Sequence, residues 1–430
     1  MSSSTPKTEM PAKTEMKSGH GSHATDPGPP RKVLFGYVGI GMLQLLVLFW
    51  FVTSFMLGKM FQQSDYTHRL HVVAVDLDGG QIGESLLQTV EGLNGQYGQP
   101  TWKPIRYGSD ETYDSIYNTV REGDDIWGAI IANPGASSKL TSAITTESND
   151  TYNANDALKI IFNESRYRTV GLSVIESNLI AAVSRTAITY QMVFGLENIS
   201  LLPNNATTHN KAALLEPIGY TSSNMQPFGF SATPLINTVM FVFPVLSQFF
   251  MVLVLNGILG GAGAYAKWSL RANLATRFFF ATVWPCVIGL SWASWIYIWK
   301  NGVSMGSGYF FMVWLTMWLY SELNFWVIDG VCSLVEMQWM PFFILSWIIC
   351  QVAGVISPPD LASRFYRVDY ILPSHHTWGV LMTIFGHGAN NHLGTNLTVC
   401  FVWLVVAVAW GVFGNWTRWK RLHKSAVGKA

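Results

Sequence analysis

"VLFGYVGIGMLQLLVLFWFVTSFMLG", residues 33–58, decides the fold: its clearly polar interruptions are Gln44, Thr53 and Ser54. About 20 apolar residues suffice to cross the hydrocarbon core of a bilayer, so this stretch predicts a spanning helix. It begins too far into the chain, and lacks the small-residue cleavage pattern, to be a removed signal peptide. Five further blocks repeat the pattern at 235–259, 278–298, 309–328, 339–356 and 393–413. Six crossings place both ends of the chain on one face of the membrane.

Composition agrees with that reading. Of 430 residues, 49% are hydrophobic and 12% charged, whereas a soluble domain carries about 25% charged residues. The net charge of +1 comes with no basic stripe, which excludes nucleic acid as a partner. Cys286, Cys332, Cys350 and Cys400 lie in apolar surroundings without a C-x-x-C spacing, and are expected to be small buried hydrophobes. Residues 1–32 hold almost no large apolar side chain and are expected to form a disordered cytoplasmic tail.

Lys and Arg set the orientation. Arg31 and Lys32 precede the first span; Lys267, Arg271 and Arg277 follow the second; Arg418, Lys420, Arg421 and Lys424 belong to a basic tail at 418–430. With six spans these segments share one face, which is therefore expected to be cytoplasmic. The acidic connector "DGVCSLVE" carries no Lys or Arg and is neutral on this point. Residues 59–233 then lie outside the cytoplasm. They hold four glycosylation acceptor triplets, at Asn149, Asn163, Asn198 and Asn205.

That outer region has the pattern of a folded α/β domain. "LHVVAVDLD" predicts a buried strand, and "QIGESLLQTVEGL" puts Ile82, Leu86, Val90 and Leu93 on one helical face. "DETYDSIYNTVREG" repeats the helical spacing with Tyr113, Ile116, Tyr117 and Val120; "DIWGAIIANP" predicts a second strand and "ALKIIFNESRY" a third, before a helix-prone stretch at 168–194. The expected fold class is an α-helical polytopic membrane protein of six spans with an extracytoplasmic α/β domain between spans one and two. Residues 234–417 form its five-span, permease-like part.

The run "HVVAVDLDGG", 71–80, also raises an enzymatic reading, in which Asp76 and Asp78 are the nucleophile and acid/base of a dehalogenase-type phosphatase. Such a site needs a Ser or Thr, a Lys and an acidic pair after later strands. "GDD" at 123–125 precedes its strand instead of following it, and Gly80 stands where that class uses Thr. The stronger reading is that these residues end a strand and cap the next helix. "GGAGAYAKWS" around Lys267 lacks the glycine of a phosphate loop. No cofactor, no metal and no catalytic residue is expected.

One span, an α/β domain and five spans is also the layout of export-type ABC permeases of the second class and of YhgE/Pip-like proteins. "VAVDLDGGQIGESLLQTVEGL", "VREGDDIWGAIIANPGASSKL" and "LKIIFNESRYRTVGLSVIESNLI" resemble the three blocks of that outer domain, with Ala136 where the family carries Phe. "NMQPFGF" at 224–230 and "YILPSHHTWGVLMTIFGHGANNHLGTN" at 370–396 resemble the fungal nitrosoguanidine-resistance membrane proteins. The resemblance implies a multipass protein linked to tolerance of toxic small molecules.

Ionisable groups inside spans are functional candidates by default. Glu322, Asn324 and Asn256 are the candidate substrate path; the competing reading of Glu322 is structural, snorkelling to the cytoplasmic end of its span or pairing with an Arg such as Arg277. Asp360, Arg364, Arg367 and Asp369 form a candidate outer connector, either a surface helix laced by salt bridges or a segment dipping into the outer leaflet. His375, His376, His387 and His392 share that connector at irregular spacing. The expected function is transport or efflux of amphipathic small molecules or lipids without an ATPase of its own. The expected partners are membrane lipid, a hydrophobic small-molecule substrate and a second copy in a homodimer. The alternative is a non-transporting membrane organiser that binds lipids or partner proteins, with the phosphatase last. The plasma membrane or a secretory-pathway membrane is the expected location.

Overall fold

A spanning helix must satisfy every backbone hydrogen bond internally and face lipid with apolar side chains, and the second half of the chain meets both demands. The computed structural model describes residues 31–123, 125–146, 152–227, 235–299, 306–427. Asn149 and residues 1–30 of the expected tail lie outside them, as does part of "NMQPFGF". Helices run over Arg31–Met60, Val239–Gly261, Leu270–Ile298, Ser307–Leu334, Met340–Ile356 and Leu393–Val427; they are called the first to sixth spans below. The last continues through the expected basic tail, which is therefore helical to Val427.

Six of the described helices are long and apolar enough to cross a membrane, but the set differs by one from the expected six. It includes Arg168–Ser200 and omits the fourth span. Packing explains both differences. Along the fourth span, Tyr320, Leu323, Phe325, Trp326 and Ile328 are buried against the other helices, so it needs no uniform lipid-facing surface and carries Glu322, Asn324 and Asp329. Arg168–Ser200 instead covers a β-sheet: Leu179, Ala182 and Val183 are buried, and Thr89 of helix Gln81–Leu93 donates to Thr189 at 3.0 Å. Small residues let the spans approach closely. A Cβ on Gly414 would stand 2.9 Å from the Gly330 carbonyl, and one on Gly289 2.7 Å from the Trp318 amide nitrogen.

Between the first two spans lies a five-stranded sheet of order β2-β1-β3-β4-β5: β1 His71–Asp76, β2 Thr101–Ile105, β3 Ile126–Ala132, β4 Leu158–Phe162 and β5 Tyr220–Asn224. β1 pairs in parallel with β2 and β3, β3 antiparallel with β4, and β4 in parallel with β5. Strand alternation divides the core. Val72, Ala74, Ile130 and Ile160 join the cluster that includes Ile82, Leu86 and Leu179, whereas Val73, Val75, Ala129 and Ile131 join Ile116 and Val120 of helix Tyr113–Glu122. Both faces are covered, as a mainly parallel sheet requires. β2 and β5 are the polar edges.

The connectors sort onto two faces. The fifth-to-sixth connector meets the sheet region: Gln63 donates to Ser357 Oγ at 2.8 Å, Arg69 to the Ala362 carbonyl at 2.9 Å, and the Asn390 amide to the Arg121 carbonyl at 2.8 Å. The second-to-third connector meets the end of the sixth span, where Trp419 donates to the Trp268 carbonyl at 3.1 Å. The sheet region thus meets the last connector at one place, and the second-to-third connector meets the end of the sixth span at another.

Candidate functional site

Among the described residues, two fully buried ionic arrangements and three cavities are the polar and receptive features. The first arrangement closes one end of the bundle. Arg277 in the third span pairs with Asp329 in the fourth at 2.7 Å, with both side chains at or below 1% exposure. The other Asp329 oxygen accepts from Asn415 of the sixth span at 2.6 Å. Arg418 donates to Ser333 Oγ at 2.5 Å and to Asn256 Oδ1 at 2.6 Å, while Tyr265 donates to the same Asn256 oxygen at 2.8 Å. Arg277 also bonds Asn256 and Tyr265. Four spans and one connector are thereby cross-linked by charge-assisted bonds.

Arg277 therefore pairs with Asp329 and not with Glu322, correcting the expectation. Glu322 is half-buried and accepts from Thr282 Oγ1 at 3.4 Å. Asn324 is fully buried, donates to the Tyr320 carbonyl at 2.7 Å and accepts from Trp347 at 2.8 Å. Asn256 belongs to the arginine cluster. The three side chains of the candidate path thus engage different neighbours and are not brought together. Asn415 and Arg418 are site residues that sequence reasoning missed, and Arg277 was assigned to the wrong acid. Arg418 was legible only as membrane-flanking charge.

The second arrangement anchors the connector. Lys59, at the end of the first span, pairs with Asp369 at 2.6 Å with neither side chain exposed, and also donates to the Ala353 carbonyl. Tyr366 donates to the Phe55 carbonyl at 2.7 Å, and a Cβ on Gly58 would lie 2.6 Å from its hydroxyl. Segment Arg364–Ile371 is a 3₁₀ helix, in which Asp369 points to Lys59 while Arg364 and Arg367 are exposed; Asp360, in the preceding 3₁₀ turn Pro359–Leu361, is half-buried. The surface salt-bridge ladder expected of these four residues is absent, because 3₁₀ periodicity and the buried lysine draw Asp369 inward. Helix Pro373–Phe385 follows, buried almost throughout. His376 lies 2.9 Å from Asn396 Oδ1 and 2.8 Å from the Tyr370 carbonyl through its two ring nitrogens.

In the sheet region, Asp76 Oδ1 accepts the amides of Asp78 at 2.9 Å and Gly79 at 2.8 Å, closing its own turn. Asp78 instead reaches the start of helix Ala136–Thr145, accepting the Ser137 amide at 2.9 Å and its hydroxyl. Ser137 Oγ in turn accepts the Ile82 amide at 2.8 Å. Burial raises the Asp76 carboxyl above its ordinary range, against the two amide bonds that lower it. Among the acceptor triplets, Asn163 is buried and accepts from the Ser165 hydroxyl at 2.7 Å, and Asn198 is buried and donates to Tyr190 at 2.8 Å. A glycan on either conflicts with that packing, whereas Asn205 is exposed.

One cavity, of about 450 Å³, is an apolar groove between the second and third spans, lined by Phe243, Leu246, Phe250, Trp284, Ile288 and Trp292, with hydroxyls from Ser247 and Ser291. A second, about 390 Å³ and more polar, lies between the sheet region and the last connector. A third, about 530 Å³, lies beside helix Ala136–Thr145 and is lined by Lys139, Tyr152 and Asp156 among others.

The sequence matches the family described as "Protein of unknown function (DUF3533)" over residues 41–409. It is 22% identical over 414 residues to the "Uncharacterized endoplasmic reticulum membrane protein YJR015W" of Saccharomyces cerevisiae, covering 86% of this chain and 77% of that protein. No solved structure matches it. Spanning helices, the charge-stapled bundle and a family match over most of its length together identify a multipass membrane protein that belongs to the DUF3533 family.

Proposed function

We propose that the protein moves, or sets the membrane distribution of, amphipathic small molecules or lipids. The observation that carries this reading is the groove between the second and third spans. Its wall is aromatic and aliphatic with two serine hydroxyls, suited to a molecule that is mostly apolar with a small polar part. The sequence resemblance to nitrosoguanidine-resistance proteins and export-type permeases supports the same reading, as does the endoplasmic reticulum membrane placement in the name of the yeast relative. In this proposal the sheet region is extracytoplasmic, the arginine cluster lies toward the cytoplasm, and no catalytic chemistry is involved. The test is accumulation of an amphipathic dye in cells with and without the protein, alongside Trp292→Ala. Higher accumulation in cells lacking the protein and in the variant supports the proposal; equal accumulation in all three ends it.

A second reading, a non-transporting organiser, is favoured by one feature. The ion pairs Arg277–Asp329 and Lys59–Asp369 tie spans and connector together at both ends of the bundle, as a static scaffold would. Purified protein in liposomes separates the two readings: dye or lipid movement supports the first, and binding without movement the second.

A further inference from the structure

Helix Arg168–Ser200 covers the sheet with one side, and in its distal half the other side is apolar as well. Ile188, Met192, Leu196 and Ile199 fall on one outward row. Leu215 lies beside that row, since its carbonyl accepts from Gln191 at 3.2 Å. All five are more than half exposed, Met192 at 80% and Leu196 at 85%. A helix that covered a sheet and faced water would carry a polar outer side, whereas one apolar all round is built to be buried on both. This double apolar character is why a helix that packs on a sheet is also apolar enough to cross a membrane.

The bilayer that holds the spans does not reach this row. Tyr167, just before the helix, packs on Trp378, which packs on Phe241 of the second span. β1 likewise starts at the last connector, where Arg69 bonds the Ala362 carbonyl, and leads to Gln81, whose side chain accepts from the Tyr190 hydroxyl at 3.3 Å. Strand and helix thus run away from the spans together, and at 1.5 Å per residue Leu196 stands about 40 Å along the helix from Tyr167. The five side chains expose on the order of 600 Å² of apolar surface, the top of what a monomer leaves open and most of the about 800 Å² per partner of a stable interface.

The spacing names the partner. Ile188, Met192, Gly195 and Ile199 follow one another at the alternating four- and three-residue steps of two parallel helices packed along a common seam. Nothing lies within 4 Å of where a Gly195 Cβ would stand, so a second helix can come close there. Arg185 ends the row and donates to Gln96 at 3.2 Å instead. Two copies in one membrane share its orientation, and a twofold axis along the membrane normal sets a helix that leads away from the bilayer in parallel with its own copy. We propose that the distal half of helix Arg168–Ser200 is the interface of a parallel homodimer, in which Ile188, Met192 and Ile199 each meet the same residue of the second copy. This interface goes beyond the transport reading and does not depend on it.

The test is oxidative cross-linking of the full chain in native membranes, with Ile188→Cys and Ile199→Cys made singly. The unmodified protein, whose four cysteines lie in the spans, gives the background. Each variant is expected to form a disulfide-linked dimer, and Tyr107→Cys, at an exposed position after β2, is not. Leu196→Asp, at an exposed position, should leave the melting temperature unchanged. It should weaken dimerisation of the purified chain in detergent, read by analytical ultracentrifugation, at least about a hundredfold, because both copies lose a buried leucine. A monomer without cross-links overturns the proposal, as does a dimer that Leu196→Asp leaves intact, which places the interface elsewhere. Cross-links that form only when the two cysteine variants are mixed overturn the parallel arrangement. A monomer whose Ile188→Cys and Ile199→Cys thiols are shielded by lipid vesicles, or cross-link to a different protein, assigns the row to that occupant and overturns the proposal too.

Discussion

Asp329 and Arg277 face each other at 2.7 Å from neighbouring spans, and among the described residues the Asp329 carboxylate is the one acid bonded within a cluster that also holds Arg418, 3.9 Å away. Removing it leaves two buried guanidinium groups without a counter-charge. Breaking a buried pair by deleting one partner typically costs about 3–5 kcal/mol. Asp329→Asn is therefore expected to lower the melting temperature of the detergent-solubilised protein markedly. The double variant Arg277→Met with Asp329→Leu should recover much of that loss, since it removes both charges of the close pair. A single variant that melts with the unmodified protein would show that the pair contributes nothing.

Glu322 provides the contrast. It accepts from the Thr282 hydroxyl at the long distance of 3.4 Å, and its side chain is only half-buried. Glu322→Gln keeps shape and hydrogen bonding while removing the charge, so stability should change by no more than about 0.5 kcal/mol. Dye accumulation should also match that of the unmodified protein. A clear rise in accumulation at normal protein level would return Glu322 to a transport path.

What was legible in the sequence follows from the range of the forces involved. Long apolar runs and the 3.6-residue spacing of Ile82, Leu86, Val90 and Leu93 are local signals, and all four residues are buried. β2 and β5 escaped because edge strands keep polar outer faces: β2 carries Lys103 and Pro104, and β5 carries Thr221, Ser222 and Ser223. The ionic clusters were illegible for a different reason. Asp329 and Asn415 are 86 residues apart, and Lys59 and Asp369 are 310 apart. No local pattern distinguishes such residues from membrane-flanking charge; only helix packing brings them together.

Gly83 and Asp76 test the structural reading of the Asp-x-Asp-Gly run. A Cβ at position 83 would stand 1.9 Å from Asp76 Oδ1, the oxygen that also holds the Asp78 and Gly79 amides. Gly83→Ala must displace that carboxylate and is expected to destabilise by about 1–3 kcal/mol, the usual cost of overpacking. Asp76→Asn, by contrast, keeps an acceptor oxygen and removes a buried charge, so stability near neutral pH should be maintained or raised. Thermal unfolding of both variants decides the matter. A Gly83→Ala protein as stable as the parent would refute the packing described for this turn.

Asn205 tests orientation. If the sheet region is extracytoplasmic, its exposed acceptor is accessible to the glycosylation machinery, while Asn163 and Asn198 are held in the packed interior. Asn205→Gln should remove one glycan, seen as a single step in gel mobility that glycosidase digestion abolishes. Asn163→Gln and Asn198→Gln should leave the glycan pattern unchanged. Loss of a glycan on Asn163→Gln would place modification before folding of this region; absence of any glycan on the whole chain would remove support for the assigned orientation.

His375 predicts how the connector responds to acid. It lies outside the six spans, in helix Pro373–Phe385, and one ring nitrogen lies 3.4 Å from the Gly354 carbonyl. Burial, then the neighbouring His376 and Lys59, push its imidazole from an ordinary 6.5 down to about 4. The folded chain therefore keeps this ring neutral across an interval in which the unfolded chain takes up a proton. By linkage, the contribution is present in full above 6.5 and is lost as pH falls from there toward about 4. His375→Gln retains a donor for Gly354 but cannot titrate, so its melting temperature should fall less steeply over that interval than the parent's. Asp76, whose raised carboxyl pKa contributes with the opposite sign, is common to both proteins and cancels in the difference. Parallel pH profiles for the two proteins would mean that His375 is free to protonate in the folded state, and that the connector is more open to water than its packing implies.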